Sequence, residues 1–281
     1  MTHSILGLGL AAAGLALAGA AQAATVEVKD AVARVIVVPE DRSDVRVDIV
    51  ATHPNLPLQV RSRDGRVIVD GDLSRRVRNC RGSGQRASVT VSGVGEVAYA
   101  DMPQVVIRTP RAVDVSVSGA VHGAVGRSQS VRLANTGCGD WKIANTDGEL
   151  RLALAGSGDM AAGSAGAADL RVAGSGDIST QRLTGPVRVD IAGSGDVSVA
   201  EIRSPSLQAR IAGSGQVDVD AGAVDALDAT IAGSGDVRFD GVAGQVKASI
   251  AGSGDVRVRE VTGPVQKSAL GSGAVIVQKA P

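Results

Sequence analysis

A regular series of seven Gly-Ser-Gly copies begins at Gly156, Gly174, Gly193, Gly213, Gly233, Gly252 and Gly271, separated by 18, 19, 20, 20, 19 and 19 residues. Five of the seven continue with Asp, and Gly137-Cys138-Gly139-Asp140 carries the series one period further back, 19 residues before Gly156. A unit this short has too few inward residues to close a core of its own. Chains with such a period bury their apolar faces by stacking one unit on the next.

The unit around Gly193 shows how. Val187, Val189, Ile191, Val197 and Val199 alternate with polar residues on both sides of the Gly-Ser-Gly corner, the period-two pattern of strands with one buried face. Across copies, the place of Ile191 is taken by Leu154, Val172, Ile211, Ile231 and Ile250, and that of Val197 by Met160, Ile178, Val217, Val237 and Val256. The outward places vary. One row reads Asp169, Arg188, Gln208, Asp228 and Lys247, and its neighbour reads Arg171, Asp190, Arg210, Thr230 and Ser249. In-register parallel stacking sets Asp169 beside Arg188, Asp228 beside Lys247, and Asp190 between Arg171 and Arg210. The expected fold is therefore all-β, a parallel β-helix (β-solenoid) of about 19 residues per coil.

Aromatic content agrees, because one Trp, one Tyr and one Phe in 281 residues suit a narrow interior of stacked aliphatics. Trp141 falls at the place of Val197 and Phe239 at that of Val199, so both rings are expected inside.

Residues 1–23 hold no Lys, Arg, Asp or Glu, run apolar from Ile5 to Ala21 and end in Ala21-Gln22-Ala23, as an export signal does. Residues 24–110 contain strand-like runs at 25–29, 34–38, 45–50, 66–70, 87–91 and 104–109, punctuated by Pro39, Pro54 and Pro57. This β-rich part is expected to start and cap the solenoid, whose repeat coils occupy residues 111–281. Arg75, Arg76, Arg78, Arg81 and Arg86 crowd a stretch without apolar alternation, expected as a solvated loop, with anion binding as the functional alternative. No later segment is apolar and long enough to span a bilayer, and none has the pattern of a membrane barrel. An exported protein of the periplasm is the expectation, with cell surface or medium as alternatives.

Basic and acidic residues balance at 29 each, which leaves no field to draw the chain to nucleic acid. Cys80 and Cys138 belong to a compartment where disulfides persist, and either a bridge or two buried thiols fits the sequence. Asp159, Asp177, Asp196, Asp236 and Asp255 would form a column about 4.8 Å apart. Their repulsion calls for backbone amides or, as the metal alternative, calcium. Arg171, Asp190 and Arg210 are the cluster nearest to a β-helix glycosidase or lyase, yet no nucleophile, base and orienter can be assembled. No catalytic or cofactor-binding residue is expected. The functional expectation is a non-catalytic structural or interaction module of the cell envelope, bound to an envelope protein or polysaccharide, with end-to-end self-association through its last strand. A glycan-active enzyme and a calcium-binding solenoid are the alternatives.

The run Val105-Val106-Ile107-Arg108-Thr109-Pro110, the following Val115-Ser116-Val117-Ser118-Gly119 and the succession of Ile-Ala-Gly-Ser-Gly-Asp-Val units resemble the putative auto-transporter adhesin head GIN domain family over roughly Thr25 to Val277. The resemblance implies a right-handed parallel β-helix and carries no catalytic or binding residues with it.

Overall fold

The computed structural model describes residues 25–63 and 65–279. The export signal expected at residues 1–23 lies outside the described residues. Strand β1 (Thr25–Glu40) is followed by β2 (Arg46–Ala51), β3 (Gln59–Arg63) and β4 (Arg66–Asp70). Three short strands, β5 (Val77–Arg81), β6 (Ser88–Val91) and β7 (Gly95–Ala98), then precede β8 (Gln104–Pro110) and β9 (Ala112–Val125). From Ser130 onward the chain runs as repeated strands broken at the Gly-Ser-Gly corners, in a parallel β-solenoid of about nine turns with roughly 19 residues each.

Stacking is in register. Ile191 pairs with Val172 on one side and Ile211 on the other, and the column continues through Ile231 and Ile250. Trp141, Met160, Ile178, Val197, Val217, Val237 and Val256 form the second column. One buried cluster follows these columns from Val26 to Val261, so β1 already belongs to the stack. It pairs in parallel with β9 on one side and with β4 and β8 on the other. At the far side β2 and β3 return antiparallel along β8 and β4. Partly buried Val45, Val47, Ile49 and Leu58 pack on the core there.

Both large rings are inside, with Trp141 1% and Phe239 0% exposed. Each lies where a glycine leaves room: a Cβ on Gly123 would meet the Trp141 ring, and one on Gly241 the Phe239 ring. An interior built for Val and Ile accepts a bulky ring only beside a missing side chain.

The Arg-rich stretch differs from its expectation. Residues 77–81 are a strand, paired antiparallel with β6, which pairs with β7 in a small lateral sheet. Backbone pairing and inward Val89, Val91 and Val97, packed against Leu56, Leu73, Val32 and Ala120, supply the order that the arginines do not. Charge pairing also differs in detail. Asp190 does lie between Arg171 and Arg210, at 3.8 and 3.7 Å, but its closest cation is Arg188 at 2.7 Å on its own strand. Asp169 likewise pairs with Arg171, two residues along at 2.7 Å, rather than with Arg188 beside it. Asp228 and Lys247 are in register, yet no ion pair joins them among the described residues. Both choices occur in the stack: Arg182 meets Glu201, its in-register neighbour, at 2.7 Å, whereas Arg171 and Arg188 turn to carboxylates two residues along their own strands.

Candidate functional site

The corner is the chain's most repeated chemistry, and its geometry follows from the backbone. Gly193 sits at φ +138°, and a Cβ there would overlap the Gly174 carbonyl oxygen of the previous lap. Gly195 needs no unusual φ, but a Cβ on it would overlap the Gly176 carbonyl oxygen. Only glycine lets the two laps approach this closely.

That approach leaves more amides than carbonyls. The amides of Ser194 and Gly195 both donate to Gly174 O, at 2.9 and 3.2 Å. The third consecutive amide, Asp196 N–H, donates instead to Oδ1 of Asp177 at 2.8 Å. The same bond links Asp177 to Asp159 at 3.1 Å, Asp159 to Asp140 at 3.2 Å, Gln216 to Asp196 at 2.8 Å, Asp255 to Asp236 at 2.6 Å and Ala274 to Asp255 at 2.8 Å. Each carboxylate thus acts as the missing backbone acceptor for the lap above it, and the bond is charge-assisted.

Asp159, Asp177, Asp196, Asp236 and Asp255 are therefore a column, interrupted at Gln216. Each turns one oxygen to an amide. Among the described residues no group of three or more His, Cys, Asp or Glu side chains is placed to share one ion. Partial burial and the like charges of Asp140 and Asp177 raise the Asp159 pKa, although its bond to the Asp177 amide opposes the rise.

His122 starts this ladder, which the sequence did not reveal because no Gly-Ser-Gly accompanies it. Its Nδ1 accepts the Asp140 amide at 3.1 Å, and burial lowers its pKa, against the opposing pull of Asp140. Asn135, in the inward column of Ile191, was likewise unanticipated. Its Nδ2 donates to Gly139 O at 2.8 Å and its Oδ1 accepts from Gly137 N at 3.0 Å, which satisfies the corner where Cys138 replaces Ser. The signal was legible in principle, since Asn135-Thr136-Gly137-Cys138-Gly139 aligns with Ile191-Ala192-Gly193-Ser194-Gly195.

Cys80 on β5 and Cys138 at this first corner are joined as a disulfide, with Cα atoms 6.3 Å apart, which ties the lateral sheet to the solenoid. Two of the arginines there meet at Ser92: Arg76 donates to its carbonyl oxygen at 2.9 Å and Arg78 to its Oγ at 2.7 Å.

Beside the corner runs an open face. Ala173, Ala192, Ala212 and Ala232 are exposed in one column, and Ser175, Ser194, Ser214, Ser234 and Ser253 in the next. A shallow groove of about 580 Å³ follows the alanines, edged by Arg171, Asp190 and Arg210.

Fold and corner together define the class as a parallel β-solenoid with a Gly-Ser-Gly-Asp edge. Residues 102–219 and 184–281 match the family described as putative auto-transporter adhesin, head GIN domain, and the chain belongs to that family. No curated protein matches the chain. Among solved structures, a putative lipid binding protein from Parabacteroides distasonis shares 17% identity, with 90% of this chain and 92% of that chain covered and a TM-score of 0.52. This likeness concerns the fold alone. A putative adhesin from Bacteroides fragilis shares 15% identity, with 92% of each chain covered and a TM-score of 0.43. Among the described residues no helix is long and apolar enough to cross a membrane.

Proposed function

We propose that the protein is an exported, non-catalytic β-solenoid that serves as an adhesin-like interaction module of the cell envelope, with the periplasm as its compartment and an envelope protein or polysaccharide as its partner. The observation that carries this reading is the open face beside the corner. Ala192, Ala212 and Ala232 with Ser194, Ser214 and Ser234 repeat there at the spacing of a β-ladder. The corner carboxylates, by contrast, are committed to backbone amides. A flat, periodic and mixed polar-apolar surface suits a periodic polymer better than a reacting substrate, which needs convergent groups in a concave site. Family membership supports the same reading.

Co-sedimentation with purified envelope polysaccharide tests it, comparing the native chain with Ala192→Glu and Ala212→Glu, both at exposed positions. The expected result is binding lost in the variants with the fold intact. Binding that ignores both substitutions would overturn the assignment to this face. Export is tested by fractionating cells and sequencing the mature N-terminus, expected at Ala24. Self-association through the strands Val265–Gly271 and Val275–Lys279 belongs to the same proposal, since each is paired on one side only among the described residues. A sedimentation series that stays monomeric at all concentrations would remove it.

A further inference from the structure

Away from the open face, the register of the first laps assembles a second set of groups. Gln104 on β8, Arg34 on β1 and His122 on β9 are successive partners across parallel strands, and Asp140 follows as the partner of His122. Lys142 lies two residues beyond Asp140 and is exposed. The lateral sheet closes over this row. Tyr99 sets its ring edge-on to the His122 ring, with centroids 5.5 Å apart, and the Arg34 guanidinium lies 5.4 Å from the Tyr99 centroid. These groups line a pocket of about 300 Å³, together with Gln85.

Asp140 is already occupied: Oδ1 accepts the Asp159 amide and Oδ2 the Gly84 amide at 3.0 Å. The two cations are not. Among the described residues no carboxylate lies within ion-pair distance of Arg34 or Lys142. Arg34 uses only Nε, on Met102 O at 3.3 Å, which leaves its Nη pair for a ligand. His122 is 6% exposed and its Nδ1 accepts the Asp140 amide, so the ring proton is on Nε2. Nε2 has no protein partner and is reached by solvent. Its ring lines the pocket. The chain also places its one tyrosine here, while its Trp and Phe are core.

We propose that this pocket binds the carboxylate of an acidic sugar. Arg34 and Lys142 against Asp140 leave one net positive charge, which matches a monoanion better than a phosphate dianion. The guanidinium Nη pair fits a planar carboxylate. The Tyr99 hydroxyl and the amides of Gln85 and Gln104 supply neutral hydrogen-bonding groups for sugar hydroxyls, and the volume suits about one ring. The inference rests on the interaction-module reading and names the chemistry of its partner.

The test follows the His122 imidazole resonances by NMR while sodium D-glucuronate, D-glucose, acetate or inorganic phosphate is added to the full chain. Saturable shifts of His122, but not of His53, are expected with glucuronate, with none from glucose and weaker response to acetate and phosphate. Lys142→Gln, which removes an exposed side chain, and Arg34→Gln are each expected to weaken glucuronate binding about tenfold. No saturable shift, an equal response to glucose, acetate or phosphate, or unchanged affinity in Lys142→Gln would overturn the proposal. A chain that still sediments with envelope polymer while ignoring glucuronate keeps the module reading and loses only this site.

Discussion

Replacing Asp177 by Ala or by Asn separates the two things a corner carboxylate offers, an acceptor and a charge. In the native chain Oδ1 of Asp177 accepts the Asp196 amide at 2.8 Å, while the Asp177 amide donates to Asp159 at 3.1 Å. Ala removes the acceptor and leaves the Asp196 N–H between laps without a partner, at a cost of about 1–3 kcal/mol. Relief of repulsion from Asp159 and Asp196 returns on the order of 1 kcal/mol at this spacing in water. The net expectation for Ala is a loss of up to about 2 kcal/mol, or up to roughly 8 °C in Tm for a domain of this size. Asn keeps an oxygen for the amide and discards the charge, so its Tm should stay within about 2 °C of native or rise. Amide exchange at Asp196, measured by NMR, gives the local counterpart, with protection lost in Asp177→Ala and kept in Asp177→Asn. Two equally harmless variants would refute the acceptor role. An Asn variant as damaged as Ala would show that the charge itself is needed, as a bound cation would require.

Other expectations follow from single contacts. Gly195→Ala forces a Cβ onto the Gly176 carbonyl oxygen and should cost more than about 2 kcal/mol, read by thermal melting; a melting point within a degree of native would contradict the close approach of laps. Cys80 and Cys138 should resist alkylation until reductant is added, and mass addition at either without reductant would show free thiols. Closing 58 residues of chain predicts that the bridge contributes about 4 kcal/mol in the chain-entropy description. His122 has a lowered folded pKa, so its contribution is complete above about pH 6.5, where the unfolded ring is also neutral, and is lost as pH falls toward the folded value. His122→Asn, which keeps an acceptor for the Asp140 amide, should flatten the fall in Tm between pH 7.5 and pH 5; an unchanged slope would contradict this. Asp159 has a raised folded pKa, so its contribution has the opposite sign, with repulsion relieved as pH falls through the folded value.

The laps were legible because periodicity fixes both which residues face inward and which become neighbours. Ile191 above Val172 and Val197 above Ile178 follow from spacing alone. What a side chain does with its neighbour is a matter of reach, and spacing is silent about it. Asp190 has Arg171 and Arg210 at its sides as the register requires, and still turns to Arg188. In the lateral sheet β6 was legible as the strand-like run 87–91, but β5 was hidden for another reason. It shows no apolar alternation in Arg78, Asn79, Cys80 and Arg81, so its strand character depends on β6 pairing and on a cysteine whose partner is 58 residues away. His122 and Asn135 escaped because they do in the first laps, with different side chains, what Asp and backbone do in later ones.

Distance measurement along the stack tests the central claim most directly. Arg132, Arg151, Asp169, Arg188, Gln208, Asp228 and Lys247 are successive partners in one outward row. A spin label at Lys247 paired in turn with one at Arg132, Arg151 or Asp169 should give dipolar distances of about 29, 24 and 19 Å, falling by roughly 4.8 Å per lap. Unequal steps, or a distance that does not shorten from Arg132 to Asp169, would contradict the in-register stack.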